Sequence, residues 1–141
     1  MKIKRNPIAD DETYYWDGNS CALLAIAYAF RVDFSVVQAL FELAGRPIND
    51  GVTDEQVGKV LKVLGRLRKK RITYERNTRR LKLETFVKEY KGRYILDCDE
   101  HISYFNNREI VDEYLYCWRY VMDLNPRIKA VTKLLGWWKI D

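Results

Sequence analysis

The sequence predicts a single α+β domain, with helices in its first half and an antiparallel β-meander in its second half. Before Gly92 the apolar residues recur at helical spacing, whereas after it the segments are rich in aromatic and β-branched residues. A chain of 141 residues is long enough to bury one core. No internal repeat, low-complexity tract or linker divides it, so residues 1–141 are predicted to form one domain.

The first helix is predicted over residues 21–30, "CALLAIAYAF". Residues 1–18, with a proline and an acidic cluster, are predicted to be an irregular lead-in. Asn19 or Ser20 is expected to cap the helix, because their side-chain oxygens can accept hydrogen bonds from its first turn. The helix is apolar on nearly every face, which predicts a central, buried position.

Three further helices and one strand are predicted before Gly92. The second helix ends at Gly45, which suits a left-handed cap, and the third begins at a Thr53–Gln56 capping box and continues to Gly65. The segment "RITYER" is a possible strand, and "LETFVKEY" is a short fourth helix.

The meander is predicted to consist of residues 94–98, 101–105 and 109–116, which are separated by "DE" and "NN" turns. The tail that follows has an ambiguous pattern. It suits a short helix followed by a tryptophan pair that is buried or packed against the domain.

Composition excludes several classes of protein. An apolar fraction of 48% excludes a disordered chain, and no apolar run reaches the roughly 20 residues that span a bilayer. The amino terminus lacks the apolar stretch of a signal peptide, so a cytoplasmic location is expected. Three cysteines without CxxC spacing and a single histidine indicate neither a disulfide framework nor a metal site, and no cofactor is expected.

A basic segment, residues 66–82, carries nine Lys or Arg and one Glu, a local charge of +8 in a chain of +5. It is either a solvated strand and loop or a surface for an acidic protein or nucleic acid. No nucleic-acid recognition motif accompanies it, so nucleic-acid binding is expected to be weak and salt-sensitive. The cations proposed for this surface are Arg66, Arg68, Lys69, Lys70, Arg71, Arg79 and Arg80.

Cys21 has two interpretations. An unpaired cysteine usually behaves as a small buried hydrophobe. A thiol in the first turn of a helix is also well placed to react, because the helix amino terminus and a neighbouring imidazolium both stabilise the thiolate. Cys98 and Cys117 lie in apolar strand contexts and are predicted to be core residues.

The lone histidine, His101, opens one predicted strand and Asp112 lies in the next. A two-residue loop at Asn106-Asn107 opposes His101 to Asp112, whereas a four-residue loop opposes Ser103 to Asp112 and leaves His101 diagonal on the same face. Either register lets a carboxylate orient an imidazole, as a Cys-His-Asp site requires. The alternative is an ordinary cross-strand pair on the surface.

The order of these features resembles the papain-like cysteine peptidases, in particular the small, divergent members found in bacteriophage genomes. The resemblance covers roughly residues 14–115 and rests on "NSCALLAIAYAF", on the "GRY" step into the strand that precedes the histidine, and on "HISYFNNREIVDEY". It implies a papain-like fold, in which a buried helix that begins with the cysteine packs on the meander.

The resemblance also implies roles for individual residues. Cys21 would be the nucleophile, His101 the base and Asp112 the orienting carboxylate. The Cys21 backbone N–H would be one oxyanion donor. The family often supplies the second donor from a Gln ahead of the Cys; no Gln precedes Cys21, and Asn19 is the nearest amide.

The function that this resemblance implies is a thiol peptidase or isopeptidase that acts on a protein or peptide substrate, in the host cytoplasm if the chain is phage-encoded. The alternative is a catalytically inactive interaction module on the same fold, which docks an acidic partner or nucleic acid through residues 66–82.

Overall fold

The computed structural model describes residues 2–10, 20–98, 101–112 and 132–141. It is an α+β structure with four α-helices and a six-stranded sheet within these ranges. In chain order the elements are β1 (Lys2–Arg5), α1 (Cys21–Phe30), α2 (Phe34–Leu43), α3 (Asp54–Arg68), β2 (Ile72–Arg76), α4 (Leu83–Glu89), β3 (Arg93–Cys98), β4 (His101–Asn106), β5 (Glu109–Asp112) and β6 (Leu134–Ile140). A short 3-10 helix, Pro7–Asp10, follows β1.

The sheet has the strand order β1-β5-β4-β3-β6-β2. Its centre is the predicted antiparallel meander of β3, β4 and β5, although residues 113–116 of the predicted third strand lie outside the described ranges. The strand predicted at "RITYER" is confirmed as β2, which pairs with β6. The predicted helical part of the tail falls largely on residues that the structure does not describe.

The amino-terminal segment was predicted to be irregular, and this prediction is wrong for β1, which pairs in parallel with β5 at the sheet edge. Lys2 and Lys4 are exposed and Ile3 is partly buried. Four residues with one apolar side chain give almost no strand pattern, since a short edge strand buries little of its own surface.

The tryptophan pair of the tail belongs to β6, which lies between β3 and β2. Trp137 and Trp138 are both buried, at 2% and 4% exposure. Successive strand residues point to opposite faces, so each tryptophan enters a different core.

Helices cover both faces of the sheet. On one face α1, α2 and α3 bury a cluster that includes Ile95, Tyr104 and Trp138. On the other, α4 packs Phe86 against Phe105 and Trp137. Residues 22–27 of α1 are at most 2% exposed, which confirms the predicted central helix and explains why it tolerates no polar face.

Candidate active site

Cys21 is the first residue of α1 and is partly exposed, in contrast to the buried residues that follow it. Ser20 occupies the capping position, but its side chain makes no hydrogen bond to the first turn, so the Ser20 alternative of the predicted cap does not form. Its backbone (φ −102°, ψ 17°) is not in the extended conformation of a capping residue, which Thr53 adopts at the start of α3 (φ −97°, ψ 158°). Asn19, the other predicted cap and the predicted second oxyanion donor, lies outside the described residues.

His101 begins β4 and Asp112 ends β5, and their side chains meet. Nε2 of His101 lies 2.7 Å from Oδ2 of Asp112. The two residues are 6% and 2% exposed, so this is a buried pair and not the surface pair of the alternative interpretation. The carboxylate can only accept, and therefore Nε2 carries the hydrogen.

The hairpin register is the second of the two predicted. Asn106 pairs with Glu109, and Tyr104 pairs with Val111. Continued by one residue, this register sets Ser103 opposite Asp112 and places His101 diagonal to Asp112 on the same face. This register is reached through a two-residue turn one position later than predicted, and not through a four-residue loop. Asn107 adopts φ 55° at the start of that turn.

Gly92 fixes the position of this turn. The Gly92 N–H donates to Oδ1 of Asn107 at 2.7 Å, and the Asn107 N–H donates to the Gly92 carbonyl at 2.8 Å. Together these bonds hold Asn107 at the hairpin tip and make Asn106 the last paired residue of β4.

Cys21 is close enough to His101 to influence the pKa of its imidazole. Burial lowers the pKa of His101, but the hydrogen bond and charge of Asp112, together with the neighbouring Cys21, outweigh it and raise the pKa to about 9. The structure thus brings His101 and Asp112 into contact, and Cys21 lies close enough to act on the His101 pKa.

Cys98 lies beside this site without exposure to solvent. It pairs with His101 across β3 and β4 and is 2% exposed, as expected of a core residue. Burial, and then the charges of Asp112 and Asp97, raise the pKa of its thiol. Cys98 therefore remains a protonated thiol. Cys117 lies outside the described residues.

Asn6 is a positioning residue that the sequence interpretation missed. Its backbone N–H donates to the Asp112 carbonyl at 2.7 Å, and its side-chain amide donates to the Leu24 carbonyl of α1 at 2.9 Å. Its Oδ1 accepts from the Ile8 N–H at 3.0 Å, and the residue is 1% exposed. Asn6 thus ties the helix that carries Cys21 to the strand that carries Asp112. The sequence offered only an Asn-Pro step as a signal.

Replacement of Asn6 with Ala should separate positioning from stability. We expect a loss of about 1–3 kcal/mol in unfolding free energy, because buried polar groups lose their partners. We also expect alkylation of Cys21 to slow by about threefold or more, because α1 is no longer held to β5. Denaturant unfolding and the rate of iodoacetamide labelling measure the two effects.

The matched control is Asn77→Ala. Asn77 makes the same kind of clamp away from Cys21, since its amide donates to the Leu81 and Leu134 carbonyls and its Oδ1 accepts from the Leu81 N–H. This variant should lose stability and keep the Cys21 labelling rate. Equal slowing in both variants would assign Asn6 a purely structural role.

The predicted cations of the basic segment are all exposed. Arg66 and Arg68 lie in the last turn of α3, and Lys69, Lys70 and Arg71 connect it to β2. The remaining two, Arg79 and Arg80, precede α4, and Arg79 pairs with Glu89 at 3.1 Å.

Within the described ranges, no group of three or more His, Cys, Asp or Glu side chains is arranged to hold a metal ion. The helices in these ranges are all too short or too polar to cross a membrane. No protein-family model, curated protein or solved structure matches the chain.

Proposed function

We propose that the chain is a papain-like cysteine hydrolase, a thiol peptidase or isopeptidase that acts on a protein or peptide substrate. One observation carries the proposal: the His101 imidazole is held by Asp112 at 2.7 Å through Nε2, and Cys21, the first residue of α1, is close enough to raise its pKa. A thiol nucleophile, an imidazole base and a carboxylate that orients the base form a set of groups by which acyl transfer through a thiol proceeds.

In this proposal the Cys21 thiolate attacks the carbonyl carbon of the scissile amide, with His101 as the imidazolium and Asp112 holding its orientation. The new S–C bond creates an oxyanion, for which the Cys21 backbone N–H is one donor and Asn19 the proposed second. His101 gives its proton to the leaving amine as the C–N bond breaks. Water then attacks the thioester, His101 takes its proton, and the acid product leaves with Cys21 restored.

The exposure of Cys21 supports this role over that of a core residue. Residues 22–27 are buried, whereas Cys21 itself is reached by solvent. A substrate carbonyl can therefore approach the sulfur from outside while α1 stays packed. The resemblance to phage members of the family extends the proposal to a protein that acts in the host cytoplasm on a host or phage protein.

The proposal is tested by acylation with a small activated ester, which needs no knowledge of the natural substrate. The wild-type protein should gain one acyl group on Cys21 by intact mass and then lose it with turnover, because the thioester is hydrolysed. Cys21→Ala should gain none there and keep its fold, since the change removes little volume at the helix start.

The matched control for this experiment is Cys98→Ala, which should acylate at the wild-type rate because its thiol is buried and stays protonated. A wild-type protein that is never acylated at Cys21, or a Cys21→Ala variant that turns over the ester equally fast, would exclude the hydrolase.

The second candidate function is the interaction module, and the exposure of all seven predicted cations favours it. In this case the same fold docks an acidic protein or nucleic acid through residues 66–82 and Cys21 has no chemical role. Retention of a partner by the Cys21→Ala variant, together with an unreactive wild-type thiol, would support this function.

A further inference from the structure

A cavity of about 750 Å³ lies at the carboxyl end of α1. Cys21 begins this ten-residue helix, so the cavity is about 15 Å from it along the helix axis. The walls come from the end of α1, the start of α2, the end of α3 and the strands β3 and β4. The hydrolase proposal assigns no role to this cavity.

The charges around the cavity are strongly unbalanced. Arg31, Arg68, Lys70 and Arg93 line it, against a single carboxylate, that of Asp33. Two of these cations belong to the basic segment, so part of that segment faces a concave site and not a flat surface. Four positive charges around one concave, half-open cavity favour a ligand with more than one negative charge.

Arg93 is held in place before any ligand arrives. Its Nε donates to the Tyr104 hydroxyl at 3.0 Å, and its Nη2 donates to the Ala29 carbonyl near the end of α1. The guanidinium carbon lies 6.0 Å from the centre of the Phe30 ring. A guanidinium has five N–H donors, and these two bonds use two of them. The planar group therefore keeps donors in a fixed orientation, as bidentate recognition of phosphate oxygens requires.

The cavity also has an apolar side, which includes Ala27, Val32 and Phe34. Its volume lies within the range of small-molecule sites, about 300–1,000 Å³. A nucleic-acid backbone, by contrast, is bound along an extended basic surface. The shape thus selects a small molecule, and the charges select an anion.

We propose that this cavity binds a small phosphate-bearing molecule, with Arg93, Arg68 and Lys70 on its phosphate oxygens. Multiple phosphate charges match the four cations better than a single carboxylate would. The site is separate from Cys21, and binding to it is measured without any hydrolase activity.

The test is calorimetric titration of the full chain with ATP, pyrophosphate and adenosine in metal-free buffer. We expect heat from both anions and none from adenosine.

The double charge reversal Arg68→Glu with Lys70→Glu should weaken ATP binding by about tenfold or more, because two attractive charges become repulsive. The matched double variant, Arg66→Glu with Lys69→Glu, makes the same change of charge on neighbouring exposed residues that do not line the cavity. It should weaken binding by about twofold or less, because more distant exposed charges are screened by salt.

The titrations with ATP and with pyrophosphate distinguish an organic phosphate ester from an inorganic polyphosphate. Tighter binding of ATP than of pyrophosphate identifies a phosphate ester whose organic part uses the apolar wall, and equal binding identifies an inorganic polyphosphate; both support the site.

Equal losses in the two double variants would show a diffuse basic surface and overturn the proposed site. Absence of heat with both anions, or binding of adenosine as tight as that of ATP, would overturn it as well. Lys70→Glu alone, expected to weaken ATP binding by about threefold or more, provides a second variant if the double reversal changes the circular dichroism spectrum.

Discussion

Iodoacetamide at about pH 6 is expected to modify Cys21 before either of the other two cysteines. The pKa of His101 is raised to about 9, so its ring is a cation at this pH and stabilises a neighbouring thiolate. Cys98 is 2% exposed, and its own pKa is raised by burial and by Asp112 and Asp97. Peptide mapping by mass spectrometry at short reaction times gives the order of labelling.

Two variants resolve the cause of this reactivity. His101→Ala should slow labelling of Cys21 by about tenfold or more, because the cation beside the sulfur is lost. Asp112→Asn should slow labelling of Cys21 less, since His101 remains and only its orientation and the carboxylate that favours its protonated form are lost. Cys98→Ala is the control and should label at the wild-type rate. If Cys21 reacts no faster than the other cysteines in the native protein, the hydrolase proposal fails and the interaction module replaces it.

The features that sequence predicted well are those with a strong local pattern. The run "CALLAIAYAF" has no polar face and forms the central helix, and the aromatic and β-branched residues at 94–98, 101–105 and 109–112 form strands, as their patterns predict. His101 and Asp112 followed from the alternation of those strands, because both registers leave them on one face.

The features that sequence did not predict depend on partners far along the chain. β1 is a strand only because β5, more than a hundred residues later, pairs with it. The hairpin register depends on the bonds between Gly92, just before β3, and Asn107, just after β4, which the antiparallel pairing of the two strands brings together. Asn6 acquires its role only when α1 and β5 are both in place.

The basic segment shows the same limit. Its excess charge is visible in the sequence, but the cavity that Arg68 and Lys70 line also has walls from α1, α2, β3 and β4. Charge is a local property of the chain, whereas concavity is a property of the assembled elements.

The Asp112→Asn variant is also expected to change how stability depends on pH. His101 has an ordinary pKa of 6.5 when unfolded and about 9 when folded, so the folded state binds its proton more tightly. The stabilisation is therefore complete below about pH 6.5 and is lost as pH rises through about 9, with a slope of up to about 1.4 kcal/mol per pH unit. Integrated over this window, the contribution is on the order of 3 kcal/mol. The amide removes the carboxylate that raises the pKa, so the variant should lose most of this slope.

Urea unfolding, followed by tryptophan fluorescence between about pH 5.5 and 9.5, measures the effect as the difference in unfolding free energy between the wild type and the variant. Glu109→Gln is the matched control, because Glu109 lies on the same strand and pairs with the exposed Lys2 at 3.2 Å. It should shift stability by less than about 1 kcal/mol at every pH, as an exposed ion pair does.

The difference in unfolding free energy between wild type and Asp112→Asn should be largest at about pH 6 and shrink towards pH 9.5. A difference that stays constant across the window would mean that Asp112 does not hold His101 as a cation, and the charged pair assigned to the site would be wrong.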